Sequence, residues 1–158
     1  MSASINTSNS VAAMPDKTLI YCFEASPIGF DANQARTIPE HTASSATLYN
    51  RLIEFERGGT KLEPSLAERW DISKDGKGYT FHLRRGVKFH TTPWFKPTRE
   101  FNAEDVLFTF ERMRNPNMPF RKAYPTEFTD FHSARLDKII AKIEAIDDHT
   151  VRFTLNTV

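Results

Sequence analysis

The chain has 158 residues, 39% hydrophobic and 26% charged, with a formal net charge of +1. This composition indicates a globular domain and excludes wholesale disorder, collagen-like repeats and coiled-coil fibres. Because 21 Lys+Arg balance 20 Asp+Glu, the overall charge predicts neither nucleic acid nor acidic lipid as a partner. No apolar run approaches 18 residues, so no membrane-spanning helix is predicted.

The N-terminal segment divides into a polar part and an apolar part. Residues 1–16 contain no Lys or Arg and lack the apolar stretch of a secretory signal, so they predict a flexible tail. Residues 18–23 predict a short buried strand, and a Pro/Gly loop follows at 26–31. The single thiol, Cys22, lies in that strand. It is either a small buried core residue or half of a disulfide whose partner lies outside this chain.

Two helices are predicted. Thr42 or Ser44 caps the first, which runs through residues 48–52 with leucines at both ends of one face. Asn102 caps the second, with Asp105 at the third helical position in a capping box. The second helix presents an apolar stripe of Val106, Phe110 and Met113, and Asn115-Pro116 ends it.

Two β-hairpins are predicted from alternating apolar residues. Residues 70–73 and 79–84 flank the turn at Asp75-Gly76, and the core face carries Tyr79, Phe81 and Leu83. Residues 143–145 and 151–155 flank a second turn at 147–149. Between the second helix and this hairpin, residues 115–131 hold three prolines and no period, which predicts a surface excursion. The class is α+β with short strands.

No catalytic or metal-binding constellation is found. The five histidines are never closer than eight residues apart and there is no cysteine pair, so no metal site is predicted. The motif of a serine nucleophile is absent, and Asp147-Asp148 reads as a solvated turn. Arg84, Arg85 and Lys88 form a small basic cluster beside Phe89, too weak to predict a nucleic-acid site. These observations favour a binding protein over an enzyme.

Two stretches resemble a known family. Residues 66–90, LAERWDISKDGKGYTFHLRRGVKFH, and residues 102–110, NAEDVLFTF, resemble the signature of bacterial extracellular solute-binding proteins of the peptide/nickel ABC importer class. Residues 95–100, FKPTRE, are similar to an insertion in the dipeptide-binding, haem/glutathione-binding and antimicrobial-peptide (Sap-type) receptors of that class.

The resemblance implies an architecture. It covers residues 17–158 and implies the N-terminal part of lobe I of a periplasmic binding protein-like (class II) fold, with short mixed or antiparallel strands and a few helices. Residues 17–41 would form the opening strand and the ligand-side loop, and residues 42–158 an accessory subdomain. The second lobe is expected to be absent from this chain. The resemblance also favours pairing of Cys22 with a cysteine outside the chain, in an oxidising periplasm.

The resemblance also implies a function. A member of this class is a monomeric substrate-binding component that binds di- or oligopeptides in the periplasm and delivers them to an inner-membrane ABC permease. Ligand contacts would come from Arg36, Thr37 and Ile38, which are bulkier than the small residues of dipeptide receptors. No cofactor is expected, although haem is a possible transported ligand.

Two alternatives stay open. One is a haem/glutathione or antimicrobial-peptide receptor of the same subgroup. The other, of a different class, is a truncated interaction module without transport function. Residues 1–158 alone are expected to bind peptides weakly or not at all, because one wall of a cleft leaves the ligand half hydrated.

Overall fold

The computed structural model describes residue 20, residues 22–45 and residues 47–157. In chain order, these residues form α1 (Ile38–Ala43), β1 (Ile53–Phe55), β2 (Leu62–Pro64), β3 (Ala67–Ile72), β4 (Gly78–Leu83), α2 (Ala103–Arg114), α3 (Pro119–Ala123), α4 (Thr129–Ser133), α5 (Leu136–Ile139), β5 (Ile140–Asp147) and β6 (Thr150–Leu155). None of the helices in these residues has the length and apolar content to cross a bilayer.

A four-stranded antiparallel sheet forms the centre of the fold. Its strand order is β3-β4-β6-β5, so both predicted hairpins are present and their second strands pair with each other. Phe81 lies opposite Trp70 on one side and Val151 on the other. Gly76 supplies the positive φ of 70° that the first turn needs, which a side chain would disfavour. β1 and β2 form a separate two-stranded ribbon.

One face of the sheet is the core, as the alternation predicts. Leu83 is buried, and Tyr79 and Phe81 are partly buried against the same apolar cluster. The other face carries polar residues, such as His82, whose Nε2 lies 2.9 Å from Asp71 Oδ2. The buried members of the cluster are Ala67, Leu83, Phe101, Ala103, Val106, Met113, Phe128, Phe131, Ile140, Ile143, Val151 and Phe153.

Helix α2 covers the core face of the sheet. Its capping box is confirmed: Asn102 Oδ1 accepts from the Glu104 amide at 3.1 Å, and Asp105 Oδ2 accepts from the Asn102 amide at 2.9 Å. The Phe110 ring meets the Phe153 ring edge to face, with centroids 4.9 Å apart. The end of the helix is also confirmed, since Asn115 is its C-cap.

The prediction of the first helix is wrong. Residues 48–52 are not helical; the helix is α1, six residues long and ten residues earlier. Thr37, not Thr42 or Ser44, is the N-cap, because it forms a capping box with Glu40 and a proline follows within the first turn. Ser44 ends the helix, and its carbonyl accepts the amide of Leu48 in the turn that follows.

The prediction of a surface excursion over residues 115–131 is wrong in part. The segment contains α3 and the start of α4, and it returns two aromatic side chains to the core. Phe128 has 0% exposure and Phe131 has 4%. Isolated aromatic residues bury large areas without any periodic pattern, so alternation in the sequence cannot reveal them.

Most of the N-terminal predictions lie outside the described residues. This holds for the flexible tail over 1–16 and for residues 18, 19 and 21 of the predicted strand. Ile20, Cys22 and Phe23 are described and do not form a strand. Cys22 is exposed, so its interpretation as a core residue is wrong. A disulfide with a cysteine outside this chain stays a prediction.

Candidate functional site

The three predicted ligand contacts lie together at the start of α1. Arg36 and Thr37 precede the helix, Ile38 is its first residue, and all three are exposed. Ile38 is exposed to 75%, which leaves its apolar side chain free for a contact. Among the described residues, the guanidinium of Arg36 has no carboxylate partner. We call residues 28–45, which carry these side chains, the ligand-side segment.

A buried carboxylate fixes the backbone under these side chains. Glu40 Oε2 accepts from the amides of Arg36 at 2.7 Å and Thr37 at 3.0 Å. These backbone hydrogen bonds, the one from Arg36 above all, hold the pKa of Glu40 below its ordinary value despite burial. The Thr37 hydroxyl accepts from the Glu40 amide at 3.4 Å. Thr37 therefore shapes the segment, while the side chains of Arg36 and Ile38 are exposed.

An ion pair across 81 residues of sequence connects the ligand-side segment to α2. Arg112 donates from both terminal nitrogens to the two carboxylate oxygens of Asp31, each at 2.8 Å. The Asn33 amide and the Gln34 side chain also donate to Asp31, at 3.1 and 2.9 Å. Burial raises the pKa of Asp31, but the bonds from Arg112, Asn33 and Gln34 outweigh it and lower the pKa overall.

Arg112 lies among aromatic rings. Its guanidinium carbon is 5.6 Å from the ring centroids of both Phe120 and Phe128, and its side chain is only 13% exposed. The Nε atom is buried without a hydrogen-bond partner among the described residues. Cation–π attraction to the two rings offsets part of the cost of burying this nitrogen without a hydrogen bond. Arg112 therefore joins the ligand-side segment, α2 and the segment around α3.

Two further polar contacts complete this attachment. His41 Nε2 lies 3.1 Å from Asp130 Oδ2 in α4. The Thr126 hydroxyl is 3.1 Å from Gln34 Oε1. The buried apolar cluster includes no residue of the ligand-side segment, although Ala35 is itself buried. Together with the Arg112–Asp31 pair, these polar contacts connect the ligand-side segment to α2 and to residues 126 and 130.

Two clefts border the ligand-side segment. The larger has a volume of about 810 Å³ and lies between this segment, residues 49–51 and α2. Residues that line it include Phe30, Tyr49, Asn33, Asn50 and Arg51. The smaller, about 190 Å³, lies between residues 28–35 and Glu40. Arg36, Thr37 and Ile38 line neither of these clefts.

Two acidic residues in the β-turns, Asp75 and Asp147, have hydrogen-bond partners within those turns. Within the described residues, no group of three or more His, Cys, Asp or Glu converges as a metal site would require. Asp147 accepts from the His149 amide at 2.7 Å, which lowers the pKa of Asp147 and keeps it an ionised turn residue. Asp75 accepts from the Ser73 hydroxyl and the Lys77 amide in the other turn, and its pKa is lowered likewise.

The chain is similar to known binding proteins. The sequence model of bacterial extracellular solute-binding proteins, family 5 Middle, matches residues 61–158. Di/tripeptide-binding protein 1 of Pseudomonas aeruginosa is 62% identical over 151 residues, which are 94% of this chain and 28% of that protein. Heme-binding protein A of Haemophilus influenzae is 45% identical over 141 residues, 89% of this chain and 26% of that protein.

A solved structure has the same fold. The dipeptide-binding protein from Pseudoalteromonas in complex with Met-Leu is 43% identical and superposes with a TM-score of 0.82. The match covers 87% of this chain and 27% of that one. The chain thus spans about a quarter of the length of the relatives it matches, which are named as binding proteins, and the resemblance in residues 66–90 is confirmed. The chain belongs to the bacterial extracellular solute-binding proteins of family 5.

Proposed function

We propose that this chain is part of the substrate-binding component of a peptide ABC importer. It binds di- or oligopeptides in the periplasm and delivers them, as a monomer, to an inner-membrane permease. The observation that carries the proposal is the 62% identity, over 94% of the chain, to a protein named for di- and tripeptide binding. The structural match to a receptor in complex with Met-Leu supports the same ligand class.

The ligand-side segment would supply one wall of the binding cleft. The exposed side chain of Ile38 offers an apolar contact to a peptide side chain, and the exposed guanidinium of Arg36 attracts a carboxylate or a backbone carbonyl. The other wall would come from a region matching the parts of the relatives that this chain does not cover. Enclosure between two walls strengthens the charged hydrogen bonds, which contribute about 1.5–3 kcal/mol each.

The segment suits this role because its backbone is already ordered. The Glu40 carboxylate and the Arg112–Asp31 pair hold the loop before any ligand binds. A preordered loop loses less conformational entropy on binding, which increases affinity.

Chemical-shift mapping tests the proposal, because it detects weak binding. Met-Leu added to the ¹⁵N-labelled chain should shift the amides of Arg36 and Ile38 with an affinity near the millimolar range, since one wall desolvates the peptide only partly. Arg36→Ala should lower the affinity for a dipeptide with an acidic side chain more than that for Met-Leu. Arg57→Ala, an exposed arginine in the β1–β2 turn, is the matched control.

Two results would contradict the proposal. One is micromolar binding with shifts confined to the four-stranded sheet, which would place the site within residues 67–155. The other is an Arg36→Ala effect equal to that of Arg57→Ala, which would remove Arg36 from the site. A chain that acts only as an interaction module would show no peptide-induced shifts at all.

Haem is the second candidate ligand. The observation that favours it is the 45% identity to Heme-binding protein A. Of the histidines, His41 contacts Asp130 and His82 contacts Asp71, so an axial ligand from either would have to give up that contact. Titration of the chain with haem, followed by visible absorbance, should leave the spectrum of free haem if peptides are the ligand.

A further inference from the structure

The loop between β4 and α2 is closed at its base by a backbone hydrogen bond. We call residues 87–101 the aromatic loop. The Phe101 amide donates to the Val87 carbonyl at 2.9 Å, which closes the base. The Phe89 and Phe101 rings meet edge to face at 6.5 Å, and Phe101 is 7% exposed. The loop is therefore anchored in the core at its two ends.

The tip of the aromatic loop is a closed turn with exposed rings. The Thr92 amide donates to the Phe95 carbonyl at 2.8 Å, and the Phe95 amide donates to the Thr92 hydroxyl at 2.9 Å. Trp94, within this turn, is 86% exposed, and Phe95 is 52% exposed. Two large rings exposed side by side at a loop tip are typical of an interaction surface.

The charges around this tip are predominantly positive, and Glu100 is the one acidic residue of the aromatic loop. Residues 84–99 contain five Lys or Arg and no Asp or Glu, although the whole chain has a net charge of only +1. Arg99 forms a bidentate pair with Asp105, and Arg84 donates to the Ser65 carbonyl. Lys88 and Lys96 flank the tip, are exposed, and form no ion pair within the described residues. The balanced overall charge conceals this local cluster.

We propose that the aromatic loop docks on the surface of a bilayer that contains anionic phospholipid. Tryptophan prefers the boundary between headgroups and acyl chains, where its ring is apolar and its indole N–H is hydrated. Lysines beside such a ring gain attraction to anionic headgroups within a Debye length of the surface. An exposed turn enters this boundary without needing a complementary pocket. An acidic protein surface would instead need to match both rings in shape.

This docking is independent of the ligand that the chain binds. If the chain serves a membrane permease, as proposed above, docking on the bilayer would keep it near that partner. The affinity of a single turn is modest, so the interaction is reversible.

Flotation with vesicles tests the proposal. The chain should bind vesicles of phosphatidylcholine with about one third phosphatidylglycerol, and not vesicles of phosphatidylcholine alone. Lys88→Glu with Lys96→Glu should weaken binding at least about tenfold, since each lysine near the surface contributes about fivefold. Trp94→Ala should weaken it similarly through the lost interfacial ring.

A matched control separates local from overall charge. Arg57→Glu with Lys61→Glu makes the same change of net charge at exposed positions between β1 and β2, and should leave binding within about twofold of the parent chain. In the Trp70→Phe variant, Trp94 is the remaining tryptophan, and its emission should shift to the blue on the anionic vesicles. Circular dichroism confirms that each variant is folded.

Three results would overturn the proposal: no binding of the parent chain to the anionic vesicles at low salt, equal losses in the control and loop variants, or unchanged emission of Trp94. If the loop variants weaken binding to an acidic protein while no vesicle binds, the partner is a protein and the lipid proposal is wrong. Peptide-induced shifts at Arg36 and Ile38 are measured separately, so failure of this proposal does not count against the proposed function.

Discussion

The four-stranded sheet and the ligand-side segment are stabilised in different ways. The sheet, with α2, buries a continuous apolar cluster in which Phe153 contacts Phe81 and Phe110. The ligand-side segment adds no residue to that cluster, and polar contacts, among them the bidentate Arg112–Asp31 pair, attach it to α2 and α4. Apolar burial depends little on pH, whereas an ion pair is lost when its carboxylate is protonated. The stability of the sheet should therefore depend little on pH, whereas the order of the segment proposed to contact the ligand should depend on the ionisation of Asp31.

Truncation in the sheet should have the largest effect. Phe153 is 6% exposed and makes two edge-to-face ring contacts, so Phe153→Ala should lower the free energy of unfolding by about 3–5 kcal/mol. Phe55→Ala, at a ring 64% exposed in β1, is the control and should cost less than about 1 kcal/mol. Chemical denaturation measures both. Equal losses would mean that the core lies elsewhere.

Removal of the long-range ion pair should have a smaller and more local effect. Arg112→Met leaves Asp31 partly buried without its partner and should lower the free energy of local opening of the ligand-side segment by about 1–2 kcal/mol, discounted from fully buried pairs because Asp31 is 31% exposed. Asp31→Asn with Arg112→Met should cost less than the sum of the single changes, as a double-mutant cycle measured by exchange of the amides in this segment would show. Additive costs would mean that the two side chains do not interact.

Loss of the α2 cap should cost about 0.5–2 kcal/mol. Asn102→Ala removes the acceptor of the Glu104 amide, and denaturation should report the loss for the whole sheet because α2 covers it. Thr37→Ala removes the corresponding cap of α1 and should affect mainly the exchange of amides in the ligand-side segment. Identical global losses for the two variants would contradict the separation of the two regions.

Acid should loosen the ligand-side segment. The pKa values of Asp31 and Glu40 are below those of free carboxyls, which lie near 4, so folding favours their ionised forms. Their stabilisation is complete above about pH 5 and is lost as the pH falls through the lowered pKa values. Carbon-13 titration of the carboxyl groups measures this. In Arg112→Met, the pKa of Asp31 should rise, and an unchanged value would exclude Arg112 as a cause of the shift.

The sheet could be predicted from the sequence because its determinants are local. Both hairpins follow from alternating apolar residues around short turns, and α2 follows from the spacing of Asn102 and Asp105. The same logic misplaced α1, because threonine and serine residues at 37, 42 and 44 all suit a cap. Only Thr37 has a glutamate three residues later, and that signal would have identified the helix.

The attachment of the ligand-side segment could not be predicted in the same way. Asp31 and Arg112 are separated by 81 residues, and nothing in the spacing or composition pairs them. The burial of Phe128, beside Arg112, could not be predicted either, because the apolar residues of its segment show no helix or strand periodicity. The proposed contacts at Arg36, Thr37 and Ile38 come from a resemblance, and only the exposure of their side chains and the role of Thr37 in the cap come from the structure.

The most direct test is hydrogen exchange in the Arg112→Met variant. It measures whether the ion pair stabilises the ligand-side segment independently of the four-stranded sheet. The amides of Gln34, His41 and Ser44 report on the segment, and those of Leu83 and Ala103 report on the sheet and α2. We expect exchange in the segment to accelerate by about five- to thirtyfold at a pH where folding is otherwise complete, while Leu83 and Ala103 change by less than about twofold. Equal acceleration in both regions, or none in the segment, would contradict the account.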